Sequence, residues 1–187
     1  MEKIILASAS PRRHQLLTWA EIDYEIVVKE TDESFPPDMP VEEVPAFIAK
    51  HKALAVHSSL SSDRLIIAAD TVVVLDEQII GKPADRTAAI STLQKLSARK
   101  HRVITGVVLM KGDRIDAFSD ITYVEFNPIT DAQIIYYVDT YKPYDKAGAY
   151  AIQEWIGVIG IKSIEGDFYN VMGLPVSKVV RKLEAFK

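Results

Sequence analysis

Eleven residues near the middle of the chain, Leu65 to Leu75, constrain it more than any others, because all but Asp70 and Thr71 are apolar. A strand with one face in water alternates apolar and polar side chains; one covered on both faces does not. Leu65–Ala69 therefore reads as a central strand with protein on either side, which demands a layered arrangement of helices on a sheet. Thr71–Leu75 and Gln78–Ile80, on either side of Asp76-Glu77, read as a hairpin.

The other segments supply both the further strands and the covering helices. Lys3–Ala7 and Tyr24–Val28 have the length and composition of short strands, and Arg102–Met110 with Arg114–Phe126 forms a second hairpin about Lys111-Gly112-Asp113. Ser10 as N-cap and Pro11 at the first helical position start a helix whose apolar side is Leu16, Leu17 and Ala20. A second helix opens near Pro40 and runs to about His57, with Pro45 tolerable only because it lies close to the start. Asp85 caps a helix through Leu96, Thr130 caps one to about Val138, and Pro175 opens a last one to about Phe186. Trp155–Ile164 reads as a strand. Lys29–Pro40, with four acidic residues and three prolines, is a loop. The fold class expected is α/β, one domain over 1–187, with a mixed twisted sheet flanked by helices.

Composition narrows the function classes. With 22 basic and 26 acidic side chains the chain carries a net charge of −4, so a global basic field for a nucleic-acid polymer is absent. There is no cysteine, which removes disulfides, thiolate metal sites and a cysteine nucleophile, and fits a reducing compartment. No apolar run approaches the ~20 residues of a membrane span. The apolar N-terminal stretch is too short for a signal peptide, so a cytoplasmic location is expected.

Four segments carry possible chemistry. In Ser8-Ala9-Ser10-Pro11-Arg12-Arg13 a strand runs into a helix start, and two arginines occupy a first turn already positive by its dipole. Each such exposed charge costs about 0.3–1 kcal/mol, a cost that makes sense if an anion docks there. Two solvated arginines would read the same way. Ala68-Ala69-Asp70-Thr71 delivers a carboxylate and a hydroxyl at the end of an apolar strand, where open α/β sheets bind ligands. A carboxylate there needs a partner, a metal or water, and a loop-capping Asp is the plainer alternative. In Ile80-Gly81-Lys82-Pro83, Gly81 allows an unusual backbone angle and a stiff turn presents Lys82, although most lysines are merely solvated. Small residues at Ala147, Gly148, Ala149 and Ala151 permit close approach, and the amide of Gln153 suits the edge of a base; a packed loop with a satisfied amide is the alternative.

Common catalytic devices are missing: there is no Walker phosphate loop, no G-x-G-x-x-G fingerprint, no H-E-x-x-H helix and no G-x-S-x-G elbow. The four histidines are scattered, and the tyrosines at 136, 137, 141 and 144 read as packing.

Taken together, the segments above resemble one family. With Asp32-Glu33, Lys52-Ala53, Ala69-Asp70-Thr71, Gly81-Lys82-Pro83, His101 to Val107, Asp145 to Tyr150 and Asn170 to Pro175 added in order, the chain is similar to the Maf proteins over essentially its whole length. The resemblance implies an α/β fold like that of inosine triphosphate pyrophosphatases, with a central cleft. It implies hydrolysis of a nucleoside triphosphate between the α- and β-phosphates with a divalent cation, Mg²⁺ or Mn²⁺, and a possible homodimer. On it, Asp70 would activate water. Glu33 and Asp70 would hold the metal, and Ser8, Arg12, Arg13, Lys52 and Lys82 would bind phosphates. Arg12, Thr71 and Gln153 mark the positions that separate dTTP/UTP-type members from those preferring 7-methyl-GTP. The run Ala149 to Gln153 looks like the dTTP/UTP type, with Glu154 departing from the glycine common there. The alternatives left open are a purine or 7-methyl-GTP substrate and a non-catalytic nucleotide-binding regulator of septum formation.

Overall fold

The computed structural model describes residues 3–60 and 63–186. Its chain order is β1 (Ile4–Ala7), α1 (Pro11–Trp19), β2 (Tyr24–Ile26), α2 (Val44–His57), β3 (Ile66–Leu75), β4 (Gln78–Ile80), α3 (Arg86–Leu96), β5 (Lys100–Lys111), β6 (Arg114–Phe126) and α4 (Asp131–Tyr141). A 3₁₀ turn (Ala147–Ala149), α5 (Trp155–Gly160), β7 (Ile161–Glu165), α6 (Phe168–Met172), α7 (Val176–Leu183) and a final 3₁₀ turn (Glu184–Phe186) complete it. The strands form one mixed seven-stranded sheet in the order β2-β1-β3-β5-β6-β7, with β4 paired to β3, so the expected α/β class holds. No helix among the described residues is long and apolar enough to cross a membrane.

Packing divides the chain into two compact units, and the division falls within β3, β5 and β6. The first unit takes the chain up to Thr71, Thr105–Asp120 and the segment from Gly173 on. Here β1 pairs parallel with both β2 and β3, through Ile5↔Glu25 and Ile5↔Ile66. The helix α2 presses Ala49, Ala53 and Val56 onto Ile5, Ala7, Ile66, Ala68, Val108 and Met110, all nearly or fully buried. Small side chains on this helix face let it sit close. The closest approach is at Gly106 of β5, where a Cβ would stand 2.0 Å from the amide nitrogen of Ala46.

The second unit takes Val72–Ile104 and Ile121–Met172. Its two eleven-residue helices, α3 and α4, start as their sequences dictate. Asp85 accepts from the N–H of Ala88 at 2.8 Å, and Thr130 with Gln133 forms a reciprocal capping box that opens α4. Buried Leu93 and Leu96 of α3, and Ile134, Tyr137 and Val138 of α4, fill this core. The β3–β4 hairpin turns on Asp76 and Glu77, both left-handed, with Arg99 bonded to both carboxylate oxygens of Asp76 and Arg102 to both of Glu77. Two positive φ angles in a two-residue loop match the strand twist, so the ladder can close without a glycine there.

Three expectations change. Leu65–Ala69 and Thr71–Leu75 are not separate strands but one, β3, so Asp70 stands inside a ten-residue strand rather than at its end. Trp155–Ile164 is a helix followed by a strand. Ile156, Gly157 and Gly160 turn inward while Val158 is 80% exposed, a helical spacing that a short apolar run does not reveal by composition. The second helix starts at Val44 rather than near Pro40, which places Pro45 in its first turn, where no N–H is needed.

Since α2 cannot retreat from β5 without unpacking its small-residue face, Gly106→Ala is expected to lower stability by about 1–3 kcal/mol. A fall in the thermal unfolding midpoint checks it; an unchanged midpoint would show that the helix yields freely.

Candidate active site

The first unit gathers most of the charged residues singled out above. Parallel pairing aligns Ala7 with Ala68, so β1 stops just short of the level of Asp70 while β3 continues. Asp70 thus stands inside its own strand, yet just past the carboxyl end of the neighbouring parallel strand, the position at which α/β sheets bind ligands. Adjacent residues of a strand face opposite ways, and the partners of Asp70 and Thr71 divide accordingly.

Asp70 is bound by Lys52. The ammonium of Lys52, on α2, lies 2.8 Å from Asp70 Oδ1 and 2.7 Å from Glu33 Oε1. The side chains of Lys52 and Asp70 are only 18% and 16% exposed, so the carboxylate has found the cation that its burial requires. Glu33 reaches in from the acidic loop, where Asp32 accepts from both the N–H and the hydroxyl of Ser34 and ties the backbone just beyond Glu33. Two carboxylates from separate segments therefore share one ammonium.

Thr71 belongs to a second network built on Arg13. This side chain is 8% exposed. It donates from Nε to the carbonyl of Gly173 at 2.7 Å, from Nη1 to Ser8 Oγ at 3.0 Å and from Nη2 to Thr71 Oγ1 at 2.9 Å. Thr71 in turn meets the fully buried Thr105 hydroxyl at 2.9 Å. Burial lowers the pKa of Arg13 to about 10, against the pull of Asp70, while Arg12 pushes the same way as burial and Glu33 opposes it. Gly173, at φ +116°, brings its backbone up to the guanidinium, with its missing Cβ 3.5 Å from Arg13 Nε. Ser8 and Arg13 thus share a hydrogen bond, and three donor nitrogens of Arg13 are committed to protein partners. Arg12 is half-buried in the same helical turn. Ser10 starts the helix as expected, without a side-chain cap.

The inward turn of Arg13 had a sequence signal. Arg13, Leu16 and Leu17 are the buried residues of α1, at i, i+3 and i+4. An arginine in register with an apolar stripe belongs to the core side of its helix. The roles of Thr105 and Gly173 carried no such signal.

Lys82 and Gln153 lie in the second unit, and both are exposed. Gly81 does not adopt the unusual angle expected of it: its φ is not positive, and a Cβ there would meet nothing within 4 Å. Its carbonyl instead accepts the N–H of Gly148 at 3.2 Å, joining the Lys82 turn to the loop that leads to Gln153. In that loop Gly148 and Ala149 are both left-handed, and a Cβ on Gly148 would press on Val73 at 2.9 Å. Tyr150, next along, meets the buried His101 Nε2 at 2.7 Å through its hydroxyl. Phe126 stacks on the imidazole at 5.5 Å. No hydrogen-bond partner reaches its Nδ1.

Among the described residues no three His, Asp or Glu side chains cluster as a closed metal cage. Two hard oxygen donors converging on one cationic centre do suit a divalent ion of the magnesium kind, which keeps water and substrate oxygens in its remaining positions. Glu33 and Asp70 fit that donor set.

A family model described as Maf-like protein matches residues 3–186. The dTTP/UTP pyrophosphatase of Cytophaga hutchinsonii is 50% identical to this chain over 181 residues, covering 97% of it and 83% of that protein. The dTTP/UTP pyrophosphatase of Parabacteroides distasonis is 49% identical over 185 residues, covering 98% and 96%. Among solved structures, the Ham1 protein of Staphylococcus aureus superposes on 67% of this chain and 72% of its own with a TM-score of 0.48 and 15% identity.

Burial pushes the pKa of His101 down to about 4. An unfolded histidine takes up its proton near pH 6.5, the folded one only near 4, so this residue's contribution is complete above about 6.5 and is lost as pH falls through that window. The loss is roughly 3 kcal/mol at the acid end. Chemical denaturation at pH 7 and pH 4.5 should show the gap, and His101→Gln, which cannot titrate, should shrink it. An equal gap in both proteins would exclude His101 as the source.

Proposed function

The chain belongs to the Maf-like protein family, and from that premise we propose that it is a nucleoside triphosphate pyrophosphatase. It cleaves dTTP and UTP between the α- and β-phosphates, giving the monophosphate and pyrophosphate. The observation that carries this reading is the convergence of Glu33 and Asp70 on the ammonium of Lys52, beside a helix start that bears Arg12 and Arg13. The two relatives carry the pyrimidine preference in their names.

Asp70 accepts the proton of the attacking water as the anhydride breaks and pyrophosphate departs. Glu33 and Asp70 would hold a divalent cation, Mg²⁺ or Mn²⁺, which when bound would screen the phosphate charge and acidify water. Lys52 now neutralises both carboxylates, and the phosphates of an incoming nucleotide compete for the same ammonium. Arg12 and Lys82 neutralise charge on the triphosphate and on the departing pyrophosphate. Ser8 and Arg13 contribute to phosphate binding as a pair: Arg13 fixes the Ser8 hydroxyl and adds its positive charge from within. Thr71, held by Arg13 and Thr105, and Gln153 select the base, with Arg12 at the third selecting position. The whole chain acts as one nucleotide-hydrolysing domain, in the cytoplasm, where free nucleotides abound, and pairs as a homodimer.

Purified protein with magnesium and a panel of nucleoside triphosphates tests the reading. UTP and dTTP should lead, with pyrophosphate as product. Orthophosphate release would overturn the cleavage site, a purine or 7-methyl-GTP lead would overturn the base preference, and binding without cleavage would make the protein a sensor. Asp70→Asn should lower kcat by roughly 10²–10⁴-fold, the usual worth of a positioned proton acceptor. Chelation of divalent ions should stop turnover, and added Mg²⁺ or Mn²⁺ should restore it.

A further inference from the structure

Gln153 stands at the third position of a tight turn, Ala151-Ile152-Gln153-Glu154, closed by the N–H of Glu154 on the carbonyl of Ala151 at 3.1 Å. An exposed amide can discriminate between bases only if its backbone is held still. One buried side chain holds both ends of this turn. Tyr137, fully buried on α4 and stacked on Tyr141 at 5.0 Å, accepts the N–H of Ala151 at 3.2 Å and donates its hydroxyl proton to Glu154 Oε2.

The glutamate is committed to this task. Glu154 is the N-cap of α5, yet its carboxylate makes no cap bond to that helix. It goes to Tyr137, and its other oxygen lies 3.7 Å from the ammonium of Lys146, whose side chain is 12% exposed. Upstream, the left-handed pair Gly148-Ala149 fixes the approach to the turn, at a backbone cost that persists only where surroundings impose it.

We propose that Tyr137 and Glu154 are positioning residues that set base selectivity by clamping the turn that carries Gln153. The inference rests on the pyrimidine reading above. The hydroxyl of Tyr137 links the two ends of a four-residue turn, so losing it frees the turn without removing any group that meets the nucleotide. Selectivity then falls while the chemical step, served by Asp70, is left intact.

The test is kcat and KM for UTP and GTP in the wild-type enzyme and in Tyr137→Phe, Glu154→Gln and Glu154→Gly. Tyr137→Phe keeps the buried ring and its stacking, and Glu154→Gln keeps an acceptor for the hydroxyl, so both retain the packing of the fold. Tyr137→Phe and Glu154→Gly should lower the UTP-to-GTP ratio of kcat/KM by about 5–10-fold, the usual worth of one hydrogen bond, chiefly through the KM for UTP. Glu154→Gln should recover most of the ratio. In a Gln153→Ala background, Tyr137→Phe should leave the ratio where that change put it, because both act through one amide. If the variants lose thermal stability or slow both nucleotides equally while the ratio stands, the pair is merely structural and the proposal fails alone. A wild-type enzyme that turns over no nucleotide, or does not distinguish UTP from GTP, removes the underlying reading and this inference with it.

Discussion

A carboxylate halfway along a strand of apolar residues must be met by a cation, and much of the first unit follows from how Asp70 is met. Unpaired burial of an ionised carboxylate costs several kcal/mol, more than any one apolar contact returns. The answering ammonium comes from Lys52, so α2 must lie with that residue over Asp70. The helix reaches this position because its buried face carries small residues at Ala49 and Ala53, and because Gly106 lets its first turn touch β5. Lys52 follows Ala49 by three positions and Ile48 by four, at the margin of the buried stripe. From there a long side chain can bury its stem and still bring its charge to a polar group.

Arg13 does the corresponding work for the hydroxyls. Its guanidinium joins the end of β1, the middle of β3 and the backbone ahead of α7 through three bonds. A planar fork with fixed donors can hold three such partners at set angles, which a lysine cannot. Burial pulls its pKa down, but to about 10, so the charge survives at any pH the protein meets. The helix start therefore combines an internal, immobile positive charge with a half-buried neighbour at Arg12. On the proposed function, a preset field of this kind would stabilise charge developing on phosphate oxygens without reorganising.

How much of this could be read beforehand depended on whether the deciding physics was local. The caps of α3 and α4 were legible because Asp85 and Thr130 bond to backbone groups three residues away. The β3–β4 and β5–β6 hairpins were legible because their turns interrupt apolar runs. The run Trp155-Ile-Gly-Val-Ile-Gly was not, since six apolar or small residues fit either period, and α5 is chosen by what packs on Gly157 and Gly160. Asp70 was found by its oddity in an apolar run, but its level in the sheet depends on where β1 ends, a long-range register that no local pattern records. Gly81 has the freedom that its type suggests but uses none of it, and lends a carbonyl instead. The ring of Tyr137 is packing, as its sequence context suggests; only the partners of its hydroxyl, far along the chain at Ala151 and Glu154, give it a second part.

A local cluster of cations, not the net charge, is what a compact anion would meet on this acidic chain. Arg12, Arg13, Glu33 and Asp70 act on one another's charge, and Lys52 pairs with both carboxylates, so cations gather here on a chain whose sum is −4. Charges farther away than about 8–10 Å are largely screened at physiological salt, so the acidic remainder does little to oppose a ligand already in place. A large polyanion would meet that remainder at short range, because its charges extend beyond any one patch onto the acidic surface. A compact triphosphate would draw on the cluster and escape the rest. Charge balance requires the two carboxylates to be neutralised whenever phosphates approach. Lys52 supplies that charge in the free protein; on the proposed function a divalent cation would supply it when a nucleotide claims the ammonium. The three-way contact of Glu33, Lys52 and Asp70 is the free protein's own answer to a charge problem that, on the proposed function, substrate and metal would solve together.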